Sequence, residues 1–142
     1  MSIKKSKLLI NKIIRIMTNK KILVVEDETD ILDVLTDTFK REGAEVFRAE
    51  DGDEGLKIAL AEKPDVILLD IIMPKVSGLD MLRDLRKDDW GKAVPVILLT
   101  NLSATEEKII RSIVEYRPVF YLVKSDWKIA DVVKKVKGII GE

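Results

Sequence analysis

The chain has no cysteine and no histidine. The first absence removes disulfides, thiol nucleophiles and zinc thiolate sites. The second removes the Ser-His-Asp triad, imidazole-ligated metals and the usual general base. Neither GxGxxG nor GxxxxGK followed by Ser or Thr occurs, so two common phosphate-cradling fingerprints are missing as well. No apolar run approaches the roughly 20 residues that span a bilayer. The apolar part of the N-terminus is broken by Asn11, Lys12 and Arg15, and no small-residue cleavage site follows it. It does not read as a signal peptide, and the cytoplasm is the expected compartment. Net charge is missing too, since 25 basic residues balance 25 acidic ones.

That balance hides an asymmetry. Residues 1–20 hold six basic side chains (Lys4, Lys5, Lys7, Lys12, Arg15, Lys20) and no acidic one, which leaves 19 basic against 25 acidic residues in the rest. An acidic body argues against non-specific nucleic-acid binding by the main domain. At 142 residues, 46% hydrophobic and 35% charged, the chain has the composition of a soluble folded protein. It has room for one domain and hardly more.

Five short apolar runs follow residue 20: "KILVVED" (21–27), "AEVFRA" (44–49, the weakest), "DVILLD" (65–70), "VPVILLT" (94–100) and "PVFYLVK" (118–124). Most lack polar alternation, as parallel strands covered on both faces do. Helical spacing fills the gaps. Ile31, Leu32, Val34, Leu35 and Phe39 mark a first helix, ended by Gly43. Leu56, Ile58, Ala59 and Leu60 mark a second, opened by Asp53 and Glu54 and stopped before Pro64. Leu79, Met81, Leu82 and Leu85 mark a third that opens near Ser77. Ile109, Ile110, Ile113 and Val114 mark a fourth, capped near Ser103 or Thr105, and a fifth runs from Ser125 or Asp126 to Ile140. Strand and helix alternating five times predict an α/β fold, a doubly wound parallel sheet with right-handed crossovers. Sites in such sheets lie beyond the carboxyl ends of the strands.

Those ends carry chemistry. The first strand ends in Glu26-Asp27, the third in Asp70, the fourth in Thr100 and the fifth in Lys124. Any one of these has a bland reading. An Asp there is often a helix cap, a Thr reflects strand propensity, and a lone Lys is usually just solvated. All five at one edge would need five separate coincidences. Converging carboxylates repel one another and are tolerable around a hard divalent cation, for which oxygen ligands suit Mg²⁺. An ammonium and a hydroxyl nearby would serve an anionic oxygen, and a carboxylate can itself take a phosphoryl group.

The motifs "ILVVEDE", "PDVILLDIIMP", "SGLDMLRDLR", "VPVILLT" and "YLVKSDW" resemble, in order and spacing, the receiver domain of bacterial response regulators, over about residues 20–141. The resemblance implies a flavodoxin-like five-stranded sheet of order 2-1-3-4-5 with five flanking helices. It implies Asp70 as the acceptor of a phosphoryl group from a sensor histidine kinase or phosphotransfer protein. It implies Mg²⁺ held by Glu26, Asp27, Asp70 and the backbone carbonyl of Ile72. Thr100 and Lys124 would contact the phosphoryl oxygens, with Thr100 and Tyr121 as the switch pair. Output would pass through the fourth helix, fifth strand and fifth helix to a partner protein, from a monomer or weak dimer. Nothing after Gly141-Glu142 reads as a DNA-binding domain. Asn101 stands where the family usually has a small residue, and Ser125 where it usually has proline.

Three other readings compete. A haloacid-dehalogenase type enzyme wants a second Asp two residues after the nucleophile, where this chain has Ile72. A nucleotide-binding module lacks its glycine fingerprint. A pseudo-receiver, acting as a protein-binding module without phosphorylation, is the main alternative. Residues 1–19 form a basic extension before a domain at 20–142, with Leu9, Ile10, Ile13, Ile14 and Met17 on one helical face. Residues 1–16 read as a mobile or self-packed extension, or as an upstream start before Met17. Membrane or partner contact is the minor reading.

Overall fold

A computed structural model of the protein describes residues 18–71, 77–100, 111, 114–117, 120–123 and 128–141. The N-terminal amphipathic segment and the expected caps at Ser103, Thr105, Ser125 and Asp126 lie outside them. Strands β1 (Lys21–Val25), β2 (Glu45–Ala49), β3 (Val66–Asp70), β4 (Val96–Thr100) and β5 (Phe120–Val123) alternate with helices. The helices are α1 (Thr29–Arg41), α2 (Gly52–Glu62) and α3 (Gly78–Lys87), then helical backbone at 111 and 114–116, called α4, and finally α5 (Ile129–Ile140). All four strand pairings are parallel and the order is β2-β1-β3-β4-β5, the flavodoxin-like arrangement expected.

Strand residues alternate between two cores, as a pleated sheet covered on both faces requires. Leu23, Val25, Ile67, Leu69, Val96 and Leu98 pack with Ala59 of α2 and with Met81, Leu82 and Leu85 of α3. Ile22, Val24, Val66, Leu68, Ile97 and Leu99 pack with Leu32, Leu35 and Phe39 of α1 and Val132 and Val136 of α5. These side chains are buried, and truncating any one of the leucines to Ala should cost about 2–5 kcal/mol. The edge strand β2 is exposed at Glu45 and Arg48, which accounts for its weak sequence signal.

The structure refines several expectations. Val34 and Leu60, which help to mark their helices by spacing, are 45% and 38% exposed. The α2 cap is Asp51, whose side chain accepts from the Glu54 amide at 2.8 Å, so the helix opens before Asp53. Helix α5 opens only at Ile129, because Lys128 is extended and its amide donates to Asp131 Oδ2 at 2.9 Å. Gly43 does end α1. Its φ of 96° lets the Gly43 amide reach Lys40 O and the Ala44 amide reach Phe39 O, the paired bonds of a Schellman turn.

The amino edge of the sheet is tied by polar contacts. The Lys21 amide donates to Asp65 Oδ2 at 2.8 Å, and Lys21 Nζ meets Glu62 Oε2 at 3.3 Å. Lys137 of α5 meets Glu42 at the end of α1 at 3.0 Å. Arg86, in the last turn of α3, is half-buried and donates to four main-chain carbonyls. Burial pulls its guanidinium below the ordinary arginine range, and it stays charged.

Candidate functional site

Strand register builds the site. Val25 of β1 pairs with Leu69 of β3, so the residues that follow, Glu26 and Asp70, stand at the same level. The ladder continues past both. The Glu26 amide donates to Ala49 O at 3.0 Å, and the Ile71 amide to Leu99 O at 3.1 Å. The backbone beneath each carboxylate is therefore fixed by its neighbouring strand. Asp27 is the first residue to leave the sheet, and its side chain is exposed. Glu26 is fully buried and Asp70 only 4% exposed.

Carboxylate oxygens of Glu26, Asp27 and Asp70 lie within 4.8 Å of one another. Glu26 Oε1 accepts from the Glu28 amide at 3.1 Å, which orients that side chain from the loop into α1. Unit charges at such separations repel by on the order of 3 kcal/mol per pair at the effective dielectric of a protein surface. A divalent cation reverses the sign of that energy. The donor set is all oxygen, as Mg²⁺ requires, and ligands on opposite sides of an octahedral Mg²⁺ stand roughly 4 Å apart. The residues fit the ion. The convergence also explains a buried strand that ends in an acid: Asp70 is anchored by β3 and opens toward Asp27.

A residue that sequence reading passed over holds this edge in shape. A Cβ on Gly78 would fall 1.8 Å from Asp70 O and 2.8 Å from Ile71 Cα. Only glycine lets the start of α3 lie against the end of β3 this closely. The Gly78 amide closes the contact by donating to Ile71 O at 2.9 Å. Ser77 caps the helix, accepting from the Asp80 amide at 3.2 Å. The pair Ser-Gly ahead of an apolar helical run was the available signal. Gly55 of α2 acts similarly, since a Cβ there would sit 2.9 Å from Met81 Sδ and from Val25 Cγ2.

Thr100 closes β4 and pairs in register with Val123, the last residue of β5, while Tyr121 pairs with Leu98. Both are described by backbone alone. Ile72 and Lys124 lie outside the described residues, as do Asn101 and Ser125. Of the acidic residues singled out in the sequence, the structure brings Glu26, Asp27 and Asp70 together.

Comparison with known proteins agrees with this geometry. A family model described as the response regulator receiver domain matches residues 22–137. The chain belongs to that family. It is 40% identical over 92 residues to the alkaline phosphatase synthesis transcriptional regulatory protein PhoP of Bacillus subtilis, a match spanning 65% of this chain and 38% of that protein. It is 38% identical over 89 residues to protein PilH of Pseudomonas aeruginosa, spanning 63% of this chain and 74% of that one. Among solved structures, the receiver domain of the Francisella response regulator 1452 is 30% identical, with a TM-score of 0.75 over 86% of this chain and 97% of that one. The chemotaxis protein CheY4 of Vibrio cholerae is 28% identical, with a TM-score of 0.76 over 84% and 98%. Among the described residues, no helix is long and apolar enough to cross a membrane.

Proposed function

We propose that this receiver domain accepts a phosphoryl group on Asp70 in a Mg²⁺-dependent reaction and signals through the α4–β5–α5 face to a partner protein. The observation that carries the reading is the convergence of the Glu26, Asp27 and Asp70 carboxylate oxygens within 4.8 Å. An acid cluster set on strand ends, with a buried and rigid support, is costly to a fold that does not use it. In the reaction, an Asp70 oxygen attacks the phosphorus of a phosphohistidine on a sensor kinase or phosphotransfer protein. An O–P bond forms, the P–N bond breaks, and the released imidazole nitrogen takes a proton. Asp27, Asp70, the Ile72 carbonyl and, less directly, Glu26 would hold Mg²⁺, which would neutralise charge on the phosphoryl oxygens. Thr100 and Lys124 contact those oxygens. Thr100 then moves toward the phosphoryl group and Tyr121 turns into the space behind it, a shift between two packings.

The test is incubation with acetyl phosphate and Mg²⁺, followed by intact-mass measurement. One acid-labile phosphoryl group on the wild type and none on Asp70→Asn is the expected result. An adduct that persists in Asp70→Asn, or a wild type that takes none, removes Asp70 as the acceptor.

A further inference from the structure

At the amino ends of β4 and β5, on the sheet edge opposite the acidic cluster, lies a cavity of about 260 Å³. Arg86 lines it from the last turn of α3, and Lys92 from the connection to β4. Glu115, Tyr116 and Arg117 line it from the end of α4 and the residue after it. Three cations thus share the wall with one carboxylate. Lys92 Nζ also meets Asp89 at 3.1 Å, but that carboxylate is 99% exposed, and a pair so open to water cancels little charge.

Arg86 is the fixed part of this wall. Its Nε donates to Tyr116 O at 2.8 Å and its Nη2 to Arg117 O at 3.1 Å. Its Nη1 donates to Gly91 O at 2.7 Å and to Val94 O at 2.8 Å. Carbonyl oxygens are neutral, so these bonds hold the guanidinium in place without cancelling its charge. Among the described residues, neither Arg86 nor Arg117 forms an ion pair. A half-buried cation without a carboxylate is an unmatched charge that water screens only in part. Arg117 holds φ at 47°, a left-handed conformation that non-glycine residues adopt when their surroundings impose it and that gathers at ligand sites. The Tyr116 side chain packs on the core between the sheet and α2–α3, which makes it a firm wall. A structural clasp accounts for Arg86 alone. It does not account for Arg117 and Lys92 beside it, in a chain whose residues after 20 hold 19 basic against 25 acidic side chains.

We propose that this cavity binds a small anion carrying phosphate groups, with Arg86 as its rigid base and Arg117 and Lys92 completing the contacts to oxygen. A guanidinium offers paired N–H donors that match two oxygens of one phosphate. Two guanidinium groups and an ammonium against a single carboxylate suit a ligand with more than one negative charge, a diphosphate over a monophosphate. The volume lies just under the usual range of ligand pockets, roughly 300–1,000 Å³, so the ligand is small. Arg86 bonds both connections at once, so an anion held there ties the entries to β4 and β5 together. The site shares no residue with the acidic edge and stands apart from the reading of Asp70.

The test is an NMR titration of the full chain with inorganic pyrophosphate, free of Mg²⁺ and at constant ionic strength set by potassium chloride. Amide shifts should saturate as a single site and centre on residues 86, 91–92 and 115–117. Arg117→Gln should weaken binding by about tenfold or more, and Glu115→Gln should tighten it, since it removes the opposing carboxylate. Asp70→Asn should bind as the wild type does, so failure of this site and failure of the phosphoacceptor reading are told apart. Shifts that never saturate, or that spread over lysines elsewhere, overturn the site. So does an Arg117→Gln protein that binds like wild type, or a Glu115→Gln protein that binds no tighter; the second comparison decides if Arg117→Gln fails to fold. Citrate binding as tightly as pyrophosphate overturns the assignment to phosphate.

Discussion

The two edges of this sheet handle charge in opposite ways. At the amino edge opposite charges meet, with Lys21 on Glu62 at 3.3 Å and Lys137 on Glu42 at 3.0 Å, and Arg86 lies among carbonyl oxygens. At the carboxyl edge three carboxylates crowd within 4.8 Å. The same five strands support both, so topology does not make the difference; the residues do. The amino edge is what folding alone favours. The carboxyl edge carries like-charge repulsion, which a bound divalent cation would offset. Crowded charge of one sign on a rigid support is therefore the informative signal in this molecule.

The strongest way to break that contrast is steric. Gly78→Ala places a methyl group 1.8 Å from Asp70 O, so backbone must move at the end of β3. We expect a loss of about 3 kcal/mol or more, together with impaired phosphorylation. Gly138→Ala is the control, because nothing lies within 4 Å of a Cβ there. In the exposed face of α5 it should stabilise by about 0.5–1 kcal/mol. Thermal melts of the two variants check the sign of each. A Gly78→Ala protein that melts like wild type would show that the two chain segments are not tightly apposed.

Two charge removals should act in opposite directions. Asp65→Ala strips the acceptor from the Lys21 amide at the start of β1 and should destabilise by about 1–2 kcal/mol. Asp27→Asn relieves crowding at the other edge and should stabilise the metal-free protein by up to about 1 kcal/mol, a modest value because Asp27 is exposed. Chemical denaturation in chelator reads both. Matching signs would dissolve the contrast between the edges.

How much of this was legible without coordinates depends on the range of the interaction. The buried run Val66–Leu69 ending in Asp70 declared a central strand with a carboxylate at its end, because burial and charge are properties of single residues. The alternation of strands and helices fixed the fold class for the same reason, and the motif order supplied the strand order. Gly78 and Arg86 were passed over. A glycine before an apolar run and an arginine in the last turn of a helix are ordinary in sequence. Their roles depend on partners elsewhere in the chain, eight residues away for Asp70 O and 30 for Tyr116 O. Val34 and Leu60 helped to mark their helices yet are exposed, because periodicity gives an apolar stripe and not which residues at its margin the sheet covers.

The smallest effect expected is at Asp84 of α3. The hydrogen bond and charge of Arg83, 3.1 Å away, hold its carboxyl below the usual carboxylate range. A group whose folded pKa is depressed contributes stability above its unfolded pKa and loses it as pH falls through the folded value. Asp84→Asn should therefore cost no more than about 0.5 kcal/mol at neutral pH, and this difference should vanish in acid. Melts at neutral and strongly acidic pH compare the two.

The central claim is that the carboxylates at the carboxyl edge form one cation site, and the response of the melting temperature to Mg²⁺ tests it most directly. A ligand bound by the folded state alone stabilises it by RT ln(1 + [L]/Kd), so the shift grows with concentration. Mg²⁺ should raise the melting temperature of the wild type progressively, and Asp27→Asn and Asp70→Asn should each lose most of that rise. A wild type indifferent to Mg²⁺, or a rise of equal size in all three proteins, would contradict the account.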